Sequence, residues 1–487
     1  MKRAFFVVYE VGNIETGLML AREAQRTRDF DVVMWSPYHL PTTEETMHRA
    51  IGLGSVYIHE NTATGGLADI WTPLSGWLSG KPTRLPVSYL GNPDNSGWQA
   101  ALHGLQKVWG ETSQNEAEAK TMAIQRMADA FLRRVAFCED ILVRLGVDAL
   151  VFAEDNIERD SFAWIAAAKR RGIPKTVVTY GALSVNEAEN AYKASSAHQV
   201  PAAEAAVLRT HLPAWLRTGE GYTISRLPLI EAMGREMAGV SVANPWLVNT
   251  GDLDQIALES ESARSAYLAE GFDAKRLKTS GHPFHDRLYA MQETREQQRL
   301  ALGATYGIDP AKPWLLVAMP PNQTGHRPVA GSVDYDALIW QFCHLPATCT
   351  QWQILISPHP NLIGEERDKL RTGPGALIEG PVADLLPLAD AYLACVSSTI
   401  KWAQALGLPI IDYDCYNYGY DDYRFEPGVR TVNSRAELEV ALQALDNDQA
   451  LQAWRAASYE RSSWWGKLDG RAMERIVQDI FTAPFSV

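Results

Sequence analysis

Short apolar runs separated by helical stretches recur along both halves of the chain, and this alternation constrains the fold more than any single motif. In the first half "AFFVVYE" leads into "NIETGLMLAREAQR", where Asn13 and Thr16 offer start-of-helix oxygens and Leu18, Leu20 and Ala21 begin an apolar face. "DFDVVMW" follows as a second strand. A long helical segment runs from about Asn115 to Arg144 and stops at Gly146. "DALVFAED" then reads as a strand, "ERDSFAWIAAAKRRGI" as a helix and "PKTVVTYG" as the next strand. The stretch from about 60 to 100 fits neither period, and "LPAWLRTGEG" reads as a connection between halves. "VSVANPWLVNTG" opens the second half, and "PWLLVAMPPNQTG", "QWQILISPHPN", "AYLACVSST" and "IKWAQALGLPIIDYD" repeat the strand-helix pattern. Strands joined through helices pair in parallel, with helices on both faces. At 487 residues the chain exceeds one core of usual size. The expected fold class is therefore α/β, with two Rossmann-like domains, residues 1–235 and 236–487, facing a central cleft.

Composition narrows the partners. Hydrophobic residues make up 46% and charged residues 21% of the chain, as in a soluble globular protein. A formal charge of −13 argues against nucleic acid, whose phosphates demand a basic surface. The five cysteines, Cys138, Cys343, Cys349, Cys395 and Cys415, are scattered and lack a CxxC spacing. Neither a disulfide framework nor a zinc knuckle is expected, and reduced thiols fit a cytoplasmic chain. "MKRAFFVVYEVGN" carries a short apolar run with no small-residue cleavage site after it, so it reads as a first strand. No stretch approaches the roughly 18 apolar residues of a membrane span. Membrane contact is expected to be peripheral at most, at the inner face.

Three loops of the second half follow strands: "PPNQTG" (320–325), "SPHPN" (357–361) and "SST" (397–399). Two prolines flank His359, and each lacks a backbone donor, so the strand stops and the imidazole stands on a rigid turn. Strand carboxyl ends are where open α/β sheets bind ligands. Ser397, Ser398 and Thr399 lie between "AYLACV" and the helix "IKWAQALG", where free amides and hydroxyls favour an anion. An N-cap alone would explain them equally well. Taken with His359 they point to a phosphate site, in which an imidazole donates a hydrogen bond or acts as an acid. The candidate nucleotide-binding residues are Asn322, Gln323, Ser357, His359, Pro360, Ser397, Ser398 and Thr399.

In the first half "FAEDN" puts Glu154, Asp155 and Asn156 just past a buried strand. Adjacent carboxylates in a desolvated site separate in pKa, which suits one of them to proton transfer; alternation along the strand leaves open which. The first strand-helix loop contributes Gly12 and Asn13, without the three-glycine dinucleotide fingerprint, so a nicotinamide enzyme is disfavoured. Asp-x-Asp triplets at 252–254, 334–336 and 412–414 arise readily in a chain with 58 acidic residues, and no metal is expected. The tyrosines of "DYDCYNYGYDDYRFE" suit either stacking on sugars and bases or packing within their own loop.

Apolar strand, His-Pro, Ser-Ser-Thr, helix and "ALGLPII", preceded by "TSGHPFHD" (279–286), resemble the donor-binding domain of GT-B glycosyltransferases over about residues 240–425. More narrowly, His359-Pro360 with Ser397-Ser398 is similar to the motifs of bacterial sialyltransferases and Kdo transferases. The resemblance implies a donor-binding domain at 236–487, an acceptor-side domain at 1–235, and a last helix, "RAMERIVQDIF", that crosses back to the first domain. It implies no cofactor or metal beyond a CMP-activated donor, with His359 contacting or protonating the departing CMP phosphate and Ser397 and Ser398 holding it. Glu154 or Asp155 would be the catalytic carboxylate, and Gly12, Asn13 and Asn156 would serve the acceptor. The corresponding acidic motif of sialyltransferases ends in glycine where Asn156 stands here. Asp286 is expected to cap the helix that follows it. The implied function is transfer of a CMP-ulosonic acid such as Kdo to a bacterial surface glycan or glycolipid. A UDP-sugar 2-epimerase-like isomerase or hydrolase is the alternative on the same fold, and a non-catalytic binding protein is a third reading.

Overall fold

The computed structural model describes residues 1–37, 43–59, 97–181, 183–324, 334–419 and 423–482. By its internal contacts the chain divides into two units: residues 1–257 with 266–278 and 476–487, and residues 258–265 with 279–475. Both are α/β units built on a mainly parallel sheet. No described helix is long and apolar enough to cross a membrane.

The first unit contains β1 (Lys2–Val7), β2 (Phe30–Ser36), β3 (Val56–His59), β4 (Ala149–Phe152), β5 (Lys175–Val178), β6 (Leu216–Gly219), β7 (Tyr222–Ser225), β8 (Gln255–Leu258) and β9 (Leu277–Thr279). Seven strands form one sheet in the order β3-β2-β1-β4-β5-β8-β9. Phe5, Phe6 and Val8 are fully buried, the continuous burial expected of a parallel strand covered on both faces. Phe5, Trp35 and Trp164 pack with ring centroids 4.9–5.9 Å apart. Ser113 caps the helix Gln114–Arg144 by accepting from the Glu116 amide. Near the end of the chain Phe481 packs edge-on against Phe30 at 5.3 Å.

The boundary expected at 235/236 falls inside this unit, within the helix Leu229–Ala238. The turn-rich "LPAWLRTGEG" is not a linker between units. It folds as a short turn and the antiparallel hairpin β6–β7, and the buried Trp215 donates its indole N–H to Glu236 at 2.7 Å. Turn residues mark a local reversal, whatever its place in the domain plan.

The second unit holds β10 (Trp314–Ala318), β11 (Gln353–Ser357), β12 (Ala376–Leu377), β13 (Ala391–Ala394), β14 (Ile410–Tyr413) and β15 (Val429–Val432). Its six strands run parallel in the order β12-β11-β10-β13-β14-β15. Leu315, Val317, Ile354, Ile356, Leu393 and Ile411 share one buried core. Asp286 sits in the first turn of the helix Pro283–Glu293, yet its carboxylate accepts from the amides of Ala472 (2.7 Å) and Met473 (2.8 Å). It therefore caps the last helix of the chain, a partner nearly two hundred positions away that local spacing does not reveal.

Strand order reverses once in each sheet. In the second unit β11 and β12 lie to one side of β10 while β13 to β15 lie to the other. Loops leaving the carboxyl ends of β10 and β13 therefore run to opposite sides, the place where such sheets usually bind ligands. The first unit reverses in the same way between β1 and β4.

Candidate functional site

The reversal point of the second unit is flanked by the loop after β10. Tyrosine hydroxyls pin this loop: Tyr335 donates to the Pro320 carbonyl at 2.6 Å, and Tyr416 donates to that of Pro321 at 2.8 Å. Tyr416 also accepts the Gln323 amide at 3.2 Å, and Tyr418 donates to Gln323 Oε1. Burial pushes the Tyr335 and Tyr416 phenols well up, so they remain protonated donors. Tyr416, 1% exposed, thus holds the 320–323 loop, a partner outside its own segment. Asn322 is exposed, donates to Glu366 and accepts the Thr324 amide at 3.1 Å. Gly325 lies outside the described residues.

At the end of β11, Ser357 is buried and its carbonyl accepts the Met319 amide at 3.0 Å. Pro360 is exposed. His359 is half-buried, and its Nδ1 accepts the backbone N–H of Asn361 at 3.1 Å. That bond assigns the ring proton to Nε2. Burial lowers the pKa of His359 below the usual imidazole range, so near neutral pH the ring is uncharged and Nε2–H is a donor.

On the other side of β10, β13 delivers Ser397, Ser398 and Thr399. Thr399 Oγ1 lies 2.5 Å from the phenol of the buried Tyr392 and 2.7 Å from Ser397 Oγ, so the hydroxyls form a chain. Ser398 is exposed. Val396, just before them, has φ 41°, a left-handed conformation that costs a side chain about 1–2 kcal/mol. Its amide donates to Asp412 Oδ1 at 2.8 Å, which holds the strained peptide in place. Spacing gave no sign of this contact, because Asp412 reaches Val396 across two neighbouring strands. Asp414 of the same triplet accepts the amides of Tyr418 and Gly419 at 2.9 and 2.8 Å. Both acids thus serve backbone amides.

In the first unit the helix begins at Val11, so Gly12 and Asn13 belong to its first turn and not to a loop before it. A Cβ on Gly12 would come within 3.3 Å of the Tyr180 ring, and Asn13 is 7% exposed. After β4, Glu154 is partly exposed and accepts from Asn156 Nδ2 at 2.9 Å. Asp155 is 4% exposed, accepting Ser161 Oγ at 2.6 Å and the Gly251 amide at 2.9 Å. Burial raises its pKa against the opposing pull of those bonds and of Arg235. The structure thus separates two carboxylates that the sequence left equivalent: Asp155 fastens the end of β4 to the 249–251 segment, and Glu154 reaches the surface. Replacing Asp155 with alanine leaves the Gly251 amide unpaired and is expected to cost about 1–3 kcal/mol in denaturant unfolding. An unchanged midpoint would remove this fastening role.

Cavities of about 580 and 590 Å³ lie away from these edges. The first is a groove lined by His103, Lys107, Glu118 and Met122. The second sits beside Asp390, which precedes β13 and is paired with Arg295 and Arg299. Neither gathers the motif residues, so topology and hydrogen bonding locate the site better than cavity size.

No family model matches the sequence, and no curated protein matches it. Among solved structures, S. aureus MnaA in complex with UDP aligns at TM-score 0.51 and 13% identity, over 99% of this chain and 96% of its own. The UDP-GlcNAc 2-epimerase of Neisseria meningitidis, bound to UDP-GlcNAc, aligns at 0.50 and 12% identity over 98% and 99%. A glycosyltransferase from Rickettsia africae aligns at 0.47 and 10% identity over 99% and 97%, too loosely to carry an argument. At such identities the likeness concerns the fold alone, and that fold is GT-B, with two Rossmann-like domains.

Proposed function

We propose that this GT-B chain is a glycosyltransferase whose second unit binds a nucleotide-activated sugar at the reversal point of its sheet. One observation carries the reading. His359, with its proton assigned to Nε2, and the Ser397–Thr399 hydroxyl chain end the strands on either side of β10. In the reaction the bond between the anomeric carbon and the phosphate oxygen breaks, its electron pair stays with the phosphate, and an acceptor hydroxyl oxygen forms the new bond to carbon. Nε2–H of His359 stabilises the charge gathering on the leaving phosphate, and the hydroxyls of Ser397 and Ser398 hold it. Glu154 takes the acceptor proton. The donor we assign is a CMP-ulosonic acid such as Kdo, and the acceptor a bacterial surface glycan or glycolipid, with no metal required.

A UDP-sugar 2-epimerase or hydrolase is the second reading. It is favoured by two of the alignments at TM-score 0.50 or above, one to a complex with UDP and one to an enzyme named for UDP-GlcNAc. A thermal-shift series with CMP, CDP, UMP and UDP separates the two. Ligand at a hundred times its Kd adds about 2.7 kcal/mol to the native state. For a unit the size of the second, about 200 residues, that is a rise of several degrees, about 2–4 °C per kcal/mol. A rise with CMP supports the transferase. A rise with UDP alone, joined by conversion of UDP-HexNAc without acceptor, supports the second reading, and no rise with any nucleotide overturns both.

A further inference from the structure

Cys395 and Cys415 place their sulfurs 3.4 Å apart, in van der Waals contact just past the ends of β13 and β14, whose residues Ala394 and Asp412 are paired. Cys395 is partly exposed and Cys415 is fully buried. Each stands directly before a residue that shapes the edge: Cys395 before Val396 at φ 41°, and Cys415 before Tyr416, which holds Pro321 and Gln323. Burial first, then the neighbouring Cys395 thiol, pushes the Cys415 pKa far up, so this sulfur stays a thiol. Thiol reactivity follows thiolate character and access, so Cys395 is the sulfur a small oxidant meets first.

We propose that Cys395 and Cys415 are a redox-modification site that closes reversibly into a disulfide when a peroxide reaches it. The Cys395 thiolate attacks a peroxide oxygen. The S–O bond forms, the O–O bond breaks, and the departing hydroxide takes up the proton that Cys395 released. The Cys415 sulfur then displaces the sulfenic oxygen of Cys395. The S–S bond forms, the S–O bond breaks, and the Cys415 proton leaves with that oxygen as water. In sum two thiols and one hydrogen peroxide give one disulfide and two waters, with the sulfurs oxidised and the peroxide reduced. A disulfide spans about 2.05 Å, so the sulfurs must draw together by roughly 1.3 Å. The pull acts on the backbone next to Val396 and Tyr416 and so shifts the Ser397 turn. Its effect on ligand binding rests on the functional reading above, whereas formation of the disulfide does not.

The test treats the full chain with stoichiometric hydrogen peroxide, then denatures it and counts alkylatable thiols. The count is expected to fall by two from five, with a Cys395–Cys415 cross-linked peptide by mass spectrometry and full recovery in dithiothreitol. Cys395→Ser and Cys415→Ser should each abolish the cross-link. A count that stays at five, or thiols lost without that peptide, overturns the proposal. A second arm compares the thermal shift given by CMP or UDP in reduced and oxidised protein, with at least half of the shift expected to disappear. An unchanged shift in cross-linked protein overturns the coupling to the site. If neither nucleotide shifts the reduced chain, the functional reading fails while the thiol count still decides the disulfide.

Discussion

His359→Ala is expected to lower turnover of the nucleotide sugar by about 10²–10⁴-fold, the usual worth of a positioned proton donor. The fold should survive. The imidazole is half-buried, and it accepts a local hydrogen bond from the Asn361 amide, whose loss costs about 0.5–1.5 kcal/mol. The pH profile then separates two roles for the ring. Because burial holds its pKa below the ordinary value, the ring is neutral at pH 7, and a donor role through Nε2–H persists as pH rises through neutrality. An acid that must carry a second proton would instead lose activity over that range. His359→Gln keeps an N–H donor and should recover part of the rate. An alanine variant with unimpaired turnover would remove His359 from the chemistry altogether.

A large stability effect is expected at Lys401. Its Nζ lies 2.8 Å from Glu259 Oε1, and the side chains are 3% and 6% exposed. Lys401→Met leaves a buried carboxylate without its cation and should cost about 3–5 kcal/mol in urea or thermal unfolding. The sign of its pH dependence follows from Glu259. Burial already raises the Glu259 pKa, with Lys401 opposing, so removing the lysine raises it further. A carboxyl whose folded pKa stands above its unfolded value contributes its stability at low pH and loses it as pH climbs through the folded value. The gap between wild type and variant should therefore be small near pH 4 and widen towards pH 8. A gap independent of pH would mean that lost packing, and not the stranded charge, is responsible. Adding Glu259→Gln to Lys401→Met should recover much of the loss.

The motif positions were legible because they depend on local chemistry. Prolines at 358 and 360 end a strand wherever it lies, and Ser397 to Thr399 follow an apolar run directly, so the edge location of His359 and of the hydroxyls could be read in advance. Bonds that give those residues their chemical character were hidden. Tyr416 reaches Pro321 over 95 positions, Asp155 binds Gly251 over 96, and Asp286 binds Ala472 over 186. No periodic signal links such partners. The choice between Glu154 and Asp155 stayed open for the same reason, since alternation describes the faces of a strand and these acids lie beyond its end.

Determined by the sequence alone were parallel α/β layers in both halves, because strands covered on both faces must be apolar throughout and their connecting helices amphipathic. So too was the presence of a histidine and a hydroxyl cluster at strand ends. Tertiary structure alone decided the strand order that sends the loops beside β10 to opposite sides, the limits of the two units, the strained peptide at Val396, and which of the two carboxylates is buried. Each of these is settled by hydrogen bonds and packing between segments far apart in the chain, whose energies depend on three-dimensional neighbours and leave no mark in local residue patterns.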